Sequence, residues 1–334
     1  STSTTLQMRL LDRTSSTSVR LRILALASMV LCASVIRYNL WSQPLMAMMG
    51  RNGQTRTQQR RVSCPAAVSS VVSSRPVAVL GANGRTGRLC VEELVKLGVP
   101  VKALTRNGDF NGIDSPLVTP AKGDVTSMDT LRRELNGCRA AVFAAAYSKA
   151  AGSKPSEVDF KGLENTAEIA KEVNLERVVA VTSGAVTRPY APVGLLLNVI
   201  GKGVLFEKKK GEESLRRILS GSGVDYTIIR PGGLRDMPAL GAQKTELNQG
   251  DTVVGSVPRA DVAAAVAAAV VAPEKFASGA TFEMYSVDSK MEMGPRPLLP
   301  WYSLPSGYET SGPTWEEAFT GLKKDTELSP RGFY

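Results

Sequence analysis

The first residues of this chain with recognisable chemistry form a glycine-rich run behind a short apolar segment. Val77–Leu80 is apolar throughout, and glycines 81, 84 and 87 follow in the spacing G-x-x-G-x-x-G before a helical pattern begins. In a strand–turn–helix unit, such glycines let a pyrophosphate approach the backbone, and the helix N-terminus offers free N–H groups. The pattern therefore predicts a nucleotide site. The alternative is a glycine turn in a fold that binds nothing.

The residues after the second apolar segment bear on the choice of nucleotide. An NAD site places an acid there to accept from the ribose 2′-hydroxyl, but here Thr105 and Arg106 follow Val101–Leu104. A guanidinium suits a 2′-phosphate, and Arg85 inside the glycine turn could join it. We therefore expect NADP(H) to be preferred over NAD(H). The alternative for Arg106 is an exposed side chain that pairs with Asp109.

Beyond residue 75, short apolar runs alternate with helical patterns, which predicts a doubly wound, mostly parallel α/β sheet of the Rossmann type with a small C-terminal substrate lobe. Strands are expected at 77–80, 101–104, 117–122, 140–145, 177–181, 225–230 and 281–285, with a short one within 251–257. Helices are expected after the glycine run and at 127–136, 157–173, 204–219, 262–271 and 314–322. Ser127 and Asp261 are the predicted N-caps, and Trp315, Phe319 and Leu322 are expected to hold the last helix against the body.

The net charge of +10 is concentrated in one part of the chain. Residues 1–74 contain nine arginines, no lysine and one acid, Asp12, so the remainder is close to neutral. A near-neutral body lacks the basic stripe of a nucleic-acid-binding protein. We therefore expect a nucleotide cofactor with a small-molecule acceptor or a plastid protein complex as partners, and no nucleic acid.

The same segment has the composition of a targeting sequence. It is rich in arginine and serine and poor in acids, which is typical of an organelle transit peptide. The apolar run Ile23–Ile36 is shorter than the ~20 residues of a membrane span and fits a signal-peptide core. Residues 1–74 are therefore predicted to be a two-part plastid (chloroplast) presequence. The alternatives are a mitochondrial presequence, a membrane anchor or a disordered tail. Residues 75–285 form the predicted nucleotide-binding domain, and 286–334 a proline-rich extension with one short helix.

Residue types that are rare in this chain exclude several kinds of site. The chain has no histidine, which excludes a histidine general base, a Ser-His-Asp triad and any histidine-ligated metal. Cys90 and Cys138 are the cysteines of the body, and two cysteines make neither a disulfide framework nor a zinc site. We expect no metal, and Cys90 is expected in the core.

The chain resembles the atypical short-chain dehydrogenase/reductase family, in its plastid and cyanobacterial branch, over residues 76–285. The motifs that carry the resemblance are the glycine run, Thr105-Arg106, Gly123-Asp124-Val125, Val181-Thr182-Ser183-Gly184, Lys210 and Tyr226–Gly233. The resemblance places Asp124 and Val125 at the adenine, and Ala144–Ala146 beside the adenine ribose and pyrophosphate. The implied cofactor-binding set is Gly81, Asn83, Gly84, Arg85, Thr86, Gly87, Arg106, Asp124, Val125, Ala144, Ala145, Ala146, Thr182, Ser183, Lys210, Pro231 and Gly232.

The resemblance also makes Ser183 and Lys210 the candidate catalytic residues. The wider superfamily uses Y-x-x-x-K on one helix, so that the ammonium lowers the pKa of the phenol that donates a proton. Phe206 stands where this tyrosine would be, and a phenyl ring cannot donate a proton. Tyr190 and Tyr147 are possible substitutes without the spacing, and structural roles are favoured for both.

Two lysines beside Lys210 are interpreted as a solvated helix face, namely Lys208 and Lys209. Arg235 and Asp236, after the turn Pro231–Gly233, are candidates for the substrate cleft. The sequence favours an NADP(H)-binding, oxidoreductase-like plastid protein that transfers a hydride to a small acceptor. The alternative is a non-catalytic NADP(H)-binding, redox-responsive scaffold or assembly factor. Epimerase or isomerase chemistry is disfavoured by the missing tyrosine.

Overall fold

The computed structural model describes residues 74–272, 276–292 and 308–328. The predicted presequence, apart from Ser74, lies outside the described residues, as do residues 293–307 of the proline-rich extension. Thirteen strands are defined in the described ranges. They are β1 (Val77–Leu80), β2 (Val101–Thr105), β3 (Val118–Lys122), β4 (Ala140–Phe143), β5 (Arg177–Val181), β6 (Asp225–Pro231), β7 (Gly233–Arg235), β8 (Thr245–Gln249), β9 (Val253–Val254), β10 (Ser256–Pro258), β11 (Ala280–Ser286), β12 (Met291–Glu292) and β13 (Tyr308–Thr310).

Nine of these strands form one sheet in the order β13-β8-β11-β6-β5-β4-β1-β2-β3. Neighbours from β3 to β11 are parallel, whereas β8 pairs antiparallel with both β11 and β13. The chain runs from β1 outward to β3 and then returns to β4 on the other side of β1. Strand order therefore reverses between β1 and β4, and open α/β sheets bind ligands at the carboxyl ends of the strands beside such a reversal.

Helices cover both faces of the sheet. They are α1 (Arg85–Lys96), α2 (Met128–Leu135), α3 (Leu163–Glu172), α4 (Pro192–Ile200), α5 (Val204–Leu219), α6 (Arg259–Val271), α7 (Trp315–Thr320) and α8 (Asp325–Leu328), and a π-helical stretch, Ser156–Gly162, leads directly into α3. Successive strand residues point to opposite faces, so Val77 and Val79 join the core that includes α1 and α6, and Ala78 and Leu80 join the core that includes α2, α3 and α5. No helix in the described ranges is long and apolar enough to cross a bilayer.

The helix caps show where local sequence decides structure and where it does not. Ser127 caps α2 as predicted, because its hydroxyl oxygen accepts from the backbone N–H of Thr130. The prediction that Asp261 caps α6 is wrong, because that helix begins two residues earlier, at Arg259. The Asp261 carboxylate instead accepts from the backbone N–H groups of Leu240 and Gly241, at 2.9 and 2.8 Å.

The region after Pro231 contains more structure than its sequence indicated. Strands β7 and β8 were not predicted, and β12 and β13 follow the strand that was expected to be last. Before this region, helix α4 was not predicted either. The described part of the C-terminal extension is fixed to the body in two ways. The rings of Phe282 and Phe319 lie 5.8 Å apart, and Trp315 and Leu322 pack against the same core, as predicted. The carboxylate of Asp325, which was not singled out, accepts from Arg216 Nε at 2.8 Å and from Thr281 Oγ1 at 2.6 Å.

Candidate nucleotide site

The glycine turn joins β1 to α1 in a geometry that side chains would obstruct. Gly81 has φ +81°, and a Cβ there would lie 2.8 Å from the backbone of Ala145. A Cβ on Gly87 would lie 2.2 Å from the carbonyl oxygen of Gly81, so the helix packs directly on the turn. No side chain caps the N-terminus of α1 at Gly84. Its first N–H groups are therefore left for water or a ligand, and the positive end of the helix dipole favours an anion.

A cleft of about 710 Å³ opens at this turn, beside the carboxyl ends of β1, β2, β3 and β4. Its volume falls within the ~300–1,000 Å³ range of small-molecule pockets. Nine of the predicted cofactor residues line it: Gly81, Asn83, Gly84, Arg106, Asp124, Val125, Ala144, Ala145 and Ala146. The lining residues that the sequence did not single out as cofactor contacts are Leu104, Thr105, Asn107, Gly123, Ser148, Ser153 and Val158.

Arg106 is the cation of this cleft. It is exposed at the end of β2 and makes no ion pair within the described part of the chain. The described residues show no ion pair between Arg106 and Asp109, and the Asp109 carboxylate accepts from Asn107 Nδ2 at 2.9 Å. An exposed guanidinium without an acidic partner is available to an anionic group in the cleft.

The side chain of Asn83 fixes the glycine turn relative to the loop that follows Arg106. Its Nδ2 donates to the carbonyl of Asp109 at 2.7 Å, and its Oδ1 accepts from the backbone N–H of Asn111 at 2.9 Å. The Thr105 hydroxyl donates to the same Asp109 carbonyl at 2.9 Å. These three hydrogen bonds therefore hold the glycine turn and the loop after Arg106 at a fixed separation.

A family model agrees with this site. Residues 81–273, more than half of the chain, match the model of the family described as NAD(P)H-binding. This chain belongs to the NAD(P)H-binding family. The match begins at the first glycine of the turn and includes every residue named above in the cleft.

Curated proteins that resemble this NAD(P)H-binding chain include chloroplast proteins and a reductase. An uncharacterized chloroplastic protein of Arabidopsis thaliana is 30% identical over 218 residues, which cover 62% of this chain and 75% of the relative. The chloroplastic protein TIC 62 of Oryza sativa subsp. japonica is 30% identical over 179 residues, or 47% of this chain and 35% of TIC 62. Sanguinarine reductase of Eschscholzia californica is 36% identical over 119 residues, which cover 34% of this chain and 40% of the reductase. The matches to these last two therefore span well under half the length of each relative.

Solved structures confirm the predicted fold class. The oxidoreductase ylbE from Lactococcus lactis superposes with a TM-score of 0.55 at 18% identity, covering 65% of this chain and 93% of that one. A putative NAD-dependent epimerase/dehydratase from Bacillus halodurans superposes with a TM-score of 0.53 at 24% identity, covering 66% of this chain and 96% of that one. At such identities the likeness shows the Rossmann-like α/β fold and no more.

Arg85 and Thr86 do not line the cleft of the NAD(P)H-binding fold. The Arg85 guanidinium lies 3.2 Å from the Asp236 carboxylate, which also lies 2.5 Å from Arg259 Nη1. Arg85 and Arg259 are the first residues of α1 and α6, so Asp236 bridges the N-terminal ends of two helices. A role for Arg85 at the 2′-phosphate stays a prediction, and the structure gives this side chain another partner.

The lysines of α5 lie on different faces from those predicted. Lys208 is 9% exposed, and its ammonium lies 2.7 Å from Asp159 Oδ1, so the interpretation of Lys208 as solvated is wrong. Lys210 lies on the opposite, exposed face, with its ammonium 2.8 Å from Glu207 Oε1. The helical repeat explains the difference, because residues four apart share a face and Lys208 shares its face with the fully buried Glu212.

Lys208 is connected to the cleft through Asp159. The other oxygen of Asp159, Oδ2, accepts from the backbone N–H of Tyr147 at 3.1 Å. Tyr147 lies between Ala146 and Ser148, which both line the cleft. The buried ion pair therefore supports the cleft wall from behind. Nothing in the spacing of the motifs indicated Asp159, since it falls in the π-helical stretch before α3.

The predicted contacts at the ends of β5 and β6 lie outside the lining of the cleft. The hydroxyl of Thr182 donates to Glu212 Oε1 at 2.6 Å, and that of Ser183 donates to the carbonyl of Gly184 at 3.0 Å. Gly232, after Pro231, packs so closely that a Cβ would lie 2.3 Å from the carbonyl oxygen of Gly255. These residues lie at the carboxyl ends of β5 and β6, the two strands next to β4 in the sheet. Their contact with a cofactor stays a prediction.

A buried charge network lies under this edge. Arg230 on β6 is fully buried, with Nη2 2.6 Å from Glu212 Oε2 and Nη1 2.9 Å from Glu283 Oε1. Burial raises the pKa of Glu212, but the charges of Arg230 and Arg216 outweigh it and hold the pKa below its usual value. Burial raises the pKa of Glu283 to about 7, and the charge of Asp251 adds to the rise. The two carboxyls that share Arg230 therefore have pKa values shifted in opposite directions.

The Asp251 carboxylate carries this network to the loop after β5. It accepts from the backbone N–H of Ala185 at 2.8 Å, and from the N–H and hydroxyl of Thr187 at 3.0 and 2.7 Å. The backbone N–H of Asp251 donates to Glu283 Oε2 at 2.8 Å. Ala185 has φ +64°, a strained value for alanine, and the Asp251 contact stabilises this turn two residues after Ser183.

Glu283 generates a prediction about pH. Its folded pKa of about 7 lies above the ordinary value of 4.5, so the folded chain binds this proton more tightly than the unfolded chain. The resulting stabilisation is complete below pH ~4.5 and is lost as the pH rises through ~7. We expect Glu283→Gln to lower the free energy of unfolding but to flatten its decline across this window, as measured by urea unfolding at a series of pH values. Glu316→Gln, at an exposed position of α7 outside the charge network, is the control variant. Identical slopes for Glu283→Gln and the unmodified chain would contradict the assignment.

Proposed function

We propose that this protein binds NADP(H) in preference to NAD(H) and transfers a hydride between the nicotinamide and a small acceptor. The observation that carries the cofactor preference is Arg106. It lies at the end of β2, where an NAD site has an acid, and it lines the same cleft as the glycine turn without an ion-pair partner in the described ranges. A charge-assisted contact with a 2′-phosphate would give this cation a partner.

The residues present fit a dinucleotide. The uncapped N-terminus of α1 suits a pyrophosphate, which would be held by backbone N–H groups. Asp124 and Val125 line the part of the cleft assigned to the adenine. When bound, the cofactor supplies or accepts the hydride. The protein orients it, with Asn83 holding the turn and the Arg106 loop at a fixed separation.

Proton donation is the part of the chemistry for which these residues are poorly equipped. The residue four before Lys210 is Phe206, and the residue four before the buried Lys208 is Val204, and neither side chain carries a proton to give. Tyr190 is 79% exposed and contacts the ring of Phe206, with ring centroids 5.6 Å apart. The site therefore favours acceptors that need only a hydride at the transfer step, such as flavins and quinones.

The missing proton donor also supports a second candidate function. A protein that binds NADP(H) without turnover could act as a redox-responsive scaffold or assembly factor, since binding needs the cleft alone. A plastid location for either function is supported by the chloroplastic relatives and by the acid-poor, arginine-rich composition of residues 1–74.

Cofactor preference is tested by removing the Arg106 guanidinium. A hydrogen bond to a charged group contributes roughly 1.5–3 kcal/mol, so Arg106→Ala should weaken NADPH binding about ten- to a hundredfold while changing NADH binding little. Titration by nucleotide fluorescence measures both. Arg85→Ala tests the other predicted arginine: because Arg85 pairs with Asp236, we expect this variant to leave the ratio of the two affinities near that of the unmodified chain. Equal losses of affinity for NADPH and NADH in Arg106→Ala would contradict the assignment of Arg106 to the 2′-phosphate.

Hydride transfer is tested with a panel of acceptors. Under excess NADPH, we expect oxidation of the cofactor with flavins or quinones to exceed that with aldehydes and ketones, because a general acid contributes about 10²–10⁴-fold to carbonyl reduction. The absorbance of NADPH reports each rate. Fast ketone reduction by the unmodified chain would contradict the missing-acid argument. Tight NADPH binding with no oxidation by any acceptor would favour the scaffold function.

The inward lysine is tested against the outward one. Because Lys208 and Asp159 support the cleft wall, we expect Lys208→Met to weaken NADPH binding by tenfold or more, whereas Lys210→Met should bind normally. The lost partner leaves the Asp159 carboxylate buried and uncompensated, a change that can destabilise a fold by ~3–5 kcal/mol. The double variant Lys208→Met with Asp159→Asn removes that charge and separates an effect on binding from one on folding. A stronger effect from Lys210→Met would restore the residue predicted from the sequence.

A further inference from the structure

Four buried carboxyl groups and two guanidinium groups meet where β6, β11 and α5 pack together. The carboxyl groups, on residues that are at most 6% exposed, belong to Glu212, Asp251, Glu283 and Asp325. Arg230 pairs with Glu212 and Glu283. Arg216 pairs with Glu212 and Asp325. With four carboxylates against two guanidinium groups, full ionisation would leave two negative charges in excess. Because an uncompensated buried charge is costly, the cluster favours retaining a proton.

Glu283 is the carboxyl group of this cluster that retains the proton. It accepts from Arg230 Nη1 at 2.9 Å and from the backbone N–H of Asp251 at 2.8 Å. Arg230 is shared with Glu212, and the Asp251 carboxylate makes no ion pair in the described ranges. Burial raises the pKa of Glu283 to about 7, and the charge of Asp251 contributes to the rise. For Glu212 the effect of burial is outweighed by the two arginines, which hold the pKa below its usual value.

The other titratable groups near Glu283 are held in fixed charge states. Tyr285 lies on the same face of β11, and burial together with the nearby carboxylates raises the pKa of its phenol, so it stays neutral. Lys290 pairs with Glu246 and Glu309, at 2.9 and 2.5 Å. The charged and titratable groups around Glu283 are thus Arg230 on β6, Glu212 and Arg216 on α5, Asp325 on α8, Asp251 after β8, Tyr285 on β11, Glu246 on β8, Glu309 on β13 and Lys290 before β12. A change in the charge of Glu283 acts most directly on its hydrogen-bonded neighbours, Arg230 and Asp251.

Asp251 joins this cluster to the loop after β5 by holding two strained turns together. Its backbone N–H contacts Glu283, and its carboxylate holds the N–H groups of Ala185 and Thr187. Asp251 has φ +53° and follows Gly250 at φ +127°, and Ala185 has φ +64°. Non-glycine residues persist at positive φ only where the surrounding contacts impose it. The loop of residues 185–187 therefore depends on the position of the Asp251 carboxylate.

Ionisation of Glu283 would put a second negative charge beside Asp251, while Arg230 is already shared with Glu212. Like charges in a buried site repel strongly, and moving Asp251 away would also relieve the strain in both turns. We propose that Asp251 is a positioning residue for the loop 185–187, and that a proton on Glu283 keeps this loop closed, so that the loop opens as the pH rises above neutral.

The position of the loop gives this opening a consequence for the site. The loop begins two residues after Ser183, at the carboxyl end of β5, where a cofactor contact is predicted. Opening would remove the support of that contact and weaken binding there at higher pH. This consequence rests on the proposed function, whereas the opening of the loop does not.

Hydrogen exchange of the full chain, followed at single amides by NMR, measures the opening directly, because the N–H groups of Ala185 and Thr187 are the donors to Asp251. After correction for the intrinsic pH dependence of exchange, we expect their protection to fall about tenfold between about pH 6 and pH 8, as for the loss of one proton. In Glu283→Gln, whose side chain cannot ionise, protection should stay constant over this range. The control amide is Thr126, held by the Asp124 carboxylate at 2.9 Å beside β3, at the other end of the sheet. Its protection should show no fall in either chain.

Low concentrations of urea separate opening of the loop from unfolding of the whole chain. Local opening exposes little surface, so urea accelerates it little, whereas exchange that requires global unfolding rises steeply with urea. We expect exchange at Ala185 and Thr187 to be nearly independent of urea, and exchange at the buried strand β5 to depend on it strongly.

A second variant keeps the test decisive if Glu283→Gln folds poorly. Asp251→Asn removes the charge beside Glu283 but keeps an oxygen that accepts hydrogen bonds, so the fall in protection should move to lower pH. Glu316→Gln, outside the cluster, should keep the profile of the unmodified chain. Protection that does not change with pH in the unmodified chain overturns the proposal. So does an unshifted fall in both Glu283→Gln and Asp251→Asn, or exchange at the loop that rises with urea as steeply as exchange at β5.

Discussion

The rest of the structure depends on the ion pairs of Arg230. This side chain is fully buried in the middle of the sheet and holds Glu212 of α5 and Glu283 of β11 at the same time. Taking three charges out of water is costly, and the loss of one partner would leave another uncompensated. The network therefore tolerates few alternatives: β6, β11 and α5 must come together in this arrangement or the charges stay unpaired. Apolar packing fills the remaining volume of the sheet, but it is less specific about register.

Two series of contacts connect Arg230 to the proposed site. Along α5, the helix that Glu212 anchors also presents Lys208 to Asp159, and Asp159 holds the backbone of Tyr147 at the cleft wall. Along β11, Glu283 holds Asp251, which fixes the loop after Ser183. The cleft that binds the cofactor and the edge where an acceptor would meet it are thus positioned by one buried cation. That arrangement explains why the family motifs include residues of β6 that do not line the cleft.

The sequence predicted the parallel half of the sheet well, because its strands are short apolar runs separated by helices with a clear period. The bounds of β5 and α5 agree with the prediction, and nine predicted cofactor residues line the cleft. The errors have physical causes. Lys208 was assigned to solvent because charge alone does not show that a lysine has a buried acid opposite it, and Asp159 lies about fifty residues away in sequence. Strand β8 was missed because it contains the polar residues Glu246 and Gln249, whose partners lie far away in sequence. Glu246 pairs with Lys290, and the Gln249 amide donates to the carbonyls of Thr281 and Lys323.

Helix α4 was missed for a related reason, and it shows the limit of pattern-based prediction. Its residues are apolar on nearly every side, so no amphipathic period marks it as a surface helix. What fixes it is a glycine that admits the carbonyl of Arg188 and an asparagine that bonds both flanking segments. With these contacts in place, several apolar side chains of α4 are left exposed to solvent. Helix α4 is therefore connected to the cleft by two routes, the loop after β5 and α5, because the Leu205 N–H of α5 donates to Asn198 and Lys208 of α5 pairs with Asp159 behind the cleft wall.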